Sequence, residues 1–176
     1  MVALGVAGLA VAGPAQAEVI RTSDNGFITR DVAAVEASLN ETLLMMINPS
    51  DGWSSGHTRA DDAANLRMTP QTGGCFCEKI PATDPPERFT LAGSVEHMRV
   101  IQAYPESALR MVGALGPLQS EPVNGVLTIA LTEVELPGGS GAMGTRIVWE
   151  YNVGGSMRYE IPVISKSVDG VMSVQL

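Results

Sequence analysis

Between Val95 and Val153 the chain runs in long stretches of alternating apolar and polar residues joined by short Gly/Pro turns, and this pattern constrains the fold most. Ser94 to Tyr104, Leu109 to Leu115, Val123 to Leu136 and Met143 to Val153 read as strands, with turns at Pro105-Glu106-Ser107 and Gly116-Pro117. In the last of them Met143, Ile147, Trp149, Tyr151 and Val153 share one face, opposite Arg146, Glu150 and Asn152. Alternation with period two marks a strand with one buried and one wet face, as antiparallel sheets have. Ser94 to Tyr104 is less clean. His97 falls with Val95, Arg99 and Ile101, while Glu96, Met98, Val100 and Gln102 lie opposite, so neither face is assigned to the interior.

Upstream, Phe27 to Val32 reads as a first strand at a sheet edge. Ser38-Leu39-Asn40-Glu41 is a capping box, in which the serine accepts the N3 amide and the glutamate reaches back. Leu39, Leu43, Met46 and Ile47 follow at helical spacing, and Asn48-Pro49 is expected to end that helix. Asp51 to Asp62 is a polar loop or a short second helix. Leu66 to Met68 and Gly74 to Ile80 are two short strands split by Pro70-Gln71-Thr72-Gly73, and Pro81 to Pro86 is a linker-like connection. Val168, Val171, Met172 and Leu176 make a C-terminal helical stripe expected to last about two turns. A helix among the first elements, consecutive strands and a closing helix define an α+β layout in one domain.

Leu4 to Ala12 is apolar and uncharged, broken at Gly13-Pro14 and followed by Ala15-Gln16-Ala17. That is a secretory h-region with an A-x-A cleavage site, shorter than the roughly 20 residues of a membrane span. No Lys or Arg precedes Arg21, so the signal peptide is expected to be truncated at its own N-terminus. The expected organisation is a signal peptide over 1–17 and a single domain over 18–176. The protein is then periplasmic or secreted, with no integral membrane anchor. A net charge of −8 repels phosphate backbones and excludes nucleic acid as a partner.

Motifs that carry chemistry are few. Gly139-Ser140-Gly141-Ala142-Met143-Gly144 matches G-x-G-x-x-G, but a strand follows where a dinucleotide site needs a helix, so it reads as a hairpin loop. Cys75 and Cys77 are the only cysteines. On an extended strand their Cα atoms stand roughly 6.5–7 Å apart, at or beyond the reach of a disulfide. They are therefore expected as two buried thiols packing as hydrophobes, with a strained bridge as the alternative in an oxidising compartment. With only His57 and His97 elsewhere, and no metal-site spacing, no metal and no cofactor are expected. His57 with Asp61 and Asp62 around Arg59 reads as a solvated loop before it reads as a general base. No G-x-S-x-G nucleophile elbow occurs. Gly113 to Gln119 forces a turn whose Leu115 and Leu118 form an apolar lip or a plain hairpin connection.

Trp53-x-x-x-His57-Thr58, Asp62-Ala63-Ala64-Asn65-Leu66, Gly73-Gly74-Cys75-Phe76-Cys77-Glu78 and Gly113-Ala114-Leu115-Gly116-Pro117-Leu118-Gln119 together resemble the exported branch of the SRPBCC superfamily (START-like, polyketide cyclase/dehydratase-like). The resemblance spans about Gly26 to Leu176 and implies a helix-grip fold: a curved antiparallel sheet around a C-terminal helix, enclosing a lipophilic cavity. That superfamily covers lipid carriers, aromatic cyclases, hormone receptors and chaperone ATPase activators, so its fold alone selects no activity. The expected function is non-catalytic binding of a small lipophilic molecule. Trp53, His57, Cys75, Cys77, His97 and Leu115 are the expected cavity residues, together with Leu118, Ile147, Trp149, Tyr151 and Met172. The alternatives are an acid–base enzyme of cyclase or dehydratase type and a protein-interaction module. For the enzyme, Glu78 and His97 are the first candidates, as residues of neighbouring strands. No catalytic residue is assigned, and oligomeric state is not legible.

Overall fold

The computed structural model describes residues 16–83, 90–138 and 141–176. The expected signal segment therefore lies outside the described residues, apart from Gln16 and Ala17, which stand in a strand. Eight antiparallel strands form one open sheet: β1 (Gln16–Ser23), β2 (Gly26–Val35), β3 (Leu66–Met68), β4 (Cys75–Ile80), β5 (Gly93–Tyr104), β6 (Ala108–Val112), β7 (Val123–Glu135) and β8 (Met143–Gly155). Their spatial order is β1-β2-β8-β7-β6-β5-β4-β3. The first hairpin thus adds onto the last strand, and α1 (Leu39–Met46) and α2 (Pro49–Gly52) lie between β2 and β3 in the chain. A C-terminal helix, α3 (Ile161–Gln175), packs on β1 and β2. The fold is α+β and helix-grip-like, as the sequence led one to expect.

Several elements correct the sequence reading. β2 is not an edge strand; it lies between β8 and β1, and β1 had not been recognised. The edge position explains this. Residues 18–23 of β1 bury none of their side chains fully, and a register shift between Val19 and Arg21 breaks their alternation. The capping box of α1 forms as read, with Glu41 N–H donating to Ser38 Oγ at 3.3 Å and Ser38 N–H to Glu41 Oε2 at 2.9 Å. Pro49 also opens α2 at its first position, where a missing N–H costs nothing. The C-terminal helix is no stub: α3 has 15 residues and starts with Ile161-Pro162, again proline in the first turn. Ile164, Ser165, Val168 and Met172 are its buried face, whereas Val171 is 37% exposed.

The core lies between the inward face of the sheet and α3. Ile147, Trp149, Tyr151 and Val153 of β8 are buried as one face, but Met143 at the strand end is exposed. β6 stops at Val112, short of the expected Leu115, because Gly113 turns the chain at φ 152°. A side chain at Gly125 would strike the Tyr151 ring at 2.4 Å and Gly113 O at 2.6 Å, so glycine lets β7 approach this turn. Tyr151 ties it down, accepting from Leu115 N–H at 3.1 Å and donating to Gly113 O at 3.2 Å. Burial of that phenol pushes its pKa up to about 12.

Candidate functional site

α3 covers the β1–β2 side of the sheet, and a cavity of about 380 Å³ opens between its inner face and β4–β5. Ile164, Val168 and Met172 of α3 form one wall, and Phe76 of β4 with His97 of β5 the opposite one. The loop from Trp53 to Arg59 closes one side, and Leu115-Gly116-Pro117 the other. α1 and α2 cover part of the same face over β7 and β8, and the cavity is the space that neither they nor α3 fill. Trp53 packs edge-on against Phe76 with ring centroids 5.2 Å apart and stacks near Trp149 at 6.4 Å. A smaller hollow of about 60 Å³ lies beyond this cluster, lined in part by Trp149, Met111 and Ile129. The buried Trp149 indole N–H has no hydrogen-bond partner among the described residues.

The polar corner of the cavity is built on a β-bulge. Phe76 pairs with Met98 and Cys77 with Glu96, so His97 is the extra residue of β5. A bulge re-aims the strand, and here it turns two consecutive residues, His97 and Met98, toward the interior. His97 Nε2 lies 2.9 Å from Glu78 Oε2. Glu78 is fully buried. Its Oε1 accepts from Arg59 N–H at 2.7 Å and Ala60 N–H at 2.7 Å, and its Oε2 from Arg59 N–H at 3.0 Å. Backbone donors on both oxygens make Glu78 the acceptor, so Nε2 of His97 carries the hydrogen of this bond. The ring also packs against Phe76 at 5.2 Å. A carboxylate fixing a histidine tautomer leaves the other nitrogen for a hydrogen bond or a proton transfer.

His57 stands at the cavity mouth, where Gln175 Nε2–H donates to its Nδ1 at 2.7 Å. The Gln175 amide is oriented by its own Oε1, which accepts from Ser54 N–H at 2.9 Å, so the end of α3 is latched to the mouth loop. His57 therefore presents Nε2–H as a donor. The Arg59 guanidinium donates to Gly116 O at 3.0 Å and Gln119 Oε1 at 2.9 Å, joining the two lips. Asp61 and Asp62, read as companions of His57, are exposed and do not line the cavity; Asp62 caps the turn after it by accepting from Ala64 N–H at 3.0 Å.

Of the expected cavity residues, Trp53, His57, His97, Leu115 and Met172 line the large cavity, and Trp149 the small one. Leu118, Ile147 and Tyr151 are packed in the core and line neither. Cys75 and Cys77 line neither and are joined to each other as a disulfide, which corrects the expectation of two free thiols. Their Cα atoms are 5.4 Å apart, closer than an extended strand allows, at the point where the β4–β5 register shifts. Their sulfurs and Glu96 also form a compact group of potential metal ligands, but both Glu96 oxygens already accept from Arg99, at 2.9 Å and 3.0 Å. Arg59, Phe76 and the α3 residues Ile164 and Val168 also line the cavity, although none of them is among the expected cavity residues. Helical spacing from Val168 back to Ile164 was the available signal for the last two.

No family model and no curated protein matches the chain. Solved structures do. One from Rhizobium leguminosarum, described as uncharacterized, is 14% identical and superposes with a TM-score of 0.50 over 93% of this chain and 96% of its own. The Mll3558 protein of Rhizobium loti has 14% identity and a TM-score of 0.50 over 84% of this chain and 92% of its own. CalU16 of Micromonospora echinospora has 12% identity and a TM-score of 0.45 over 91% of this chain and 81% of its own. At these identities the first two likenesses show the fold alone.

Proposed function

We propose that the protein is an exported member of the SRPBCC superfamily that binds a small, mainly apolar molecule without transforming it. The observation that carries this reading is the cavity of about 380 Å³, within the size range of small-molecule sites and walled by Trp53, Phe76, Ile164, Val168 and Met172. Enclosed apolar space is dry and favours apolar guests, with each buried methylene worth roughly 0.8 kcal/mol before binding costs. The fold and the sequence motifs support the superfamily, and the Leu4–Ala12 run before Ala15-Gln16-Ala17 supports export. Both tryptophans of the chain stand at the cavities, so their emission reports occupancy directly. Titrating fatty acids, sterols, isoprenoids and aromatic polyketides should shift that emission and raise Tm for at least one class. No response to any class would sink the reading.

A second reading, acid–base catalysis, is favoured by one observation, the buried Glu78–His97 pair at the cavity wall. If His97 Nδ1 acted as a general base, His97→Gln would remove turnover of a bound substrate while sparing its affinity. A bound ligand recovered chemically unchanged after prolonged incubation would count against catalysis.

A further inference from the structure

We propose that the ligand of the cavity is an amphiphilic monoanion, a compact carboxylate whose acid group sits at the mouth between Arg59 and His57. This inference rests on the ligand-binding reading. Arg59, His57 and His97 line the cavity, and among the described residues no carboxylate does. Glu78 stands behind His97 with no exposed surface, its oxygens taken by Arg59 N–H, Ala60 N–H and the imidazole. The Arg59 guanidinium meets only neutral oxygens, those of Gly116 and Gln119, and forms no ion pair among the described residues. His57 Nδ1 is already an acceptor for Gln175, which leaves its Nε2–H as a donor. In a chain of net charge −8, an arginine without an acidic partner at the rim of an apolar cavity is an anion site in waiting.

Both hydrogens of the Arg59 Nη2 are committed to Gly116 O and Gln119 Oε1, so Nε–H and Nη1–H are the donors left for a carboxylate, through a charge-assisted hydrogen bond stronger than a neutral amide or alcohol forms. Beyond the rim the walls are Trp53, Phe76, Ile164, Val168 and Met172, which suit a hydrocarbon body. The cavity volume of about 380 Å³ lies toward the lower end of the range of small-molecule sites, so the guest is compact.

Decanoate and its neutral isostere decanamide test the idea by calorimetry and tryptophan emission on the whole protein. Decanoate is expected to bind at least tenfold more tightly, since a charge-assisted hydrogen bond outweighs a neutral one by about that factor or more. Arg59→Gln should remove the preference, the two compounds then binding within about twofold of each other, and Arg59→Lys should restore part of it. The Glu78 anchor uses the backbone N–H of residue 59, so these variants keep the fold. Equal affinity of the two compounds for the wild-type protein, or an undiminished preference in Arg59→Gln, would overturn the carboxylate assignment while leaving the ligand-binding reading standing. If neither compound bound and the broader ligand titration also left emission and Tm unchanged, both would fall together.

Discussion

The β7–β8 hairpin and the β4–β5 pair, separated by β6 in one sheet, are built on opposite principles. β7 and β8 pair from Val123↔Gly155 to Glu135↔Met143 without a register shift, and β8 buries Ile147, Trp149, Tyr151 and Val153 on one face. β5 carries two irregularities, an extra His97 against β4 and an extra Ile101 against β6. The regular ladder supplies apolar area and register. The bulged strand gives up regularity and in return aims His97 into an apolar interior, where Glu78 accepts from it and is itself held by two backbone N–H groups. Chemistry sits where the alternation fails.

The largest test of this contrast is Glu78→Ala. It strips the acceptor from two backbone N–H groups and an imidazole at a sealed site, and should cost about 3–5 kcal/mol in urea unfolding. A loss under about 1 kcal/mol would mean that water replaces the carboxylate freely, and that the bulged region is not held by this pair. Next comes Leu131→Ala in the regular ladder, a buried position that lines neither cavity. It should cost about 2–4 kcal/mol and leave ligand affinity unchanged once folding is corrected for. An affinity change as large as that of a cavity substitution would erase the division of labour between the two regions.

The Cys75–Cys77 bridge tests how the β4–β5 irregularity is held. It closes a very short loop, so the entropy it removes from the unfolded chain is small, and Cys75→Ser with Cys77→Ser should cost only about 1–2 kcal/mol. Denatured, unreduced protein should show no thiol reactivity and reduced protein two thiols per chain; two reactive thiols before reduction would show the cysteines free. The smallest effect concerns Asp31, buried in β2 against Ser173 of α3. Burial raises its pKa, opposed by the Ser173 hydroxyl at 2.6 Å, and Asp169 nearby is raised by burial, Asp31 and Glu18. A carboxyl with a raised native pKa contributes stability fully below its unfolded value and loses it as pH rises through the native value. Asp31→Asn should therefore gain on wild type as pH climbs above the ordinary carboxylate range toward neutrality. A difference in Tm that stayed flat with pH would show that Asp31 pays no burial penalty.

The β8 face, the α1 capping box, the paired strands from Leu66 to Ile80 and the candidacy of Glu78 and His97 were legible in the sequence, because local periodicity and capping chemistry act over a few residues. β1 was not legible, since an edge strand that buries no side chain fully over residues 18–23 carries little periodic signal. Nor was the inward turn of His97, because an inserted residue in β5 reverses the face of everything after it, and only pairing with β4 reveals the insertion. The disulfide belongs with it: two residues apart in sequence predicts an unreachable spacing, and the irregular pairing supplies the reachable 5.4 Å. The cavity itself was decided entirely in three dimensions. Its volume is what an eight-stranded sheet leaves open once α3 docks on its β1–β2 side and α1 and α2 cover part of β7–β8, and no stretch of chain encodes a space between distant elements.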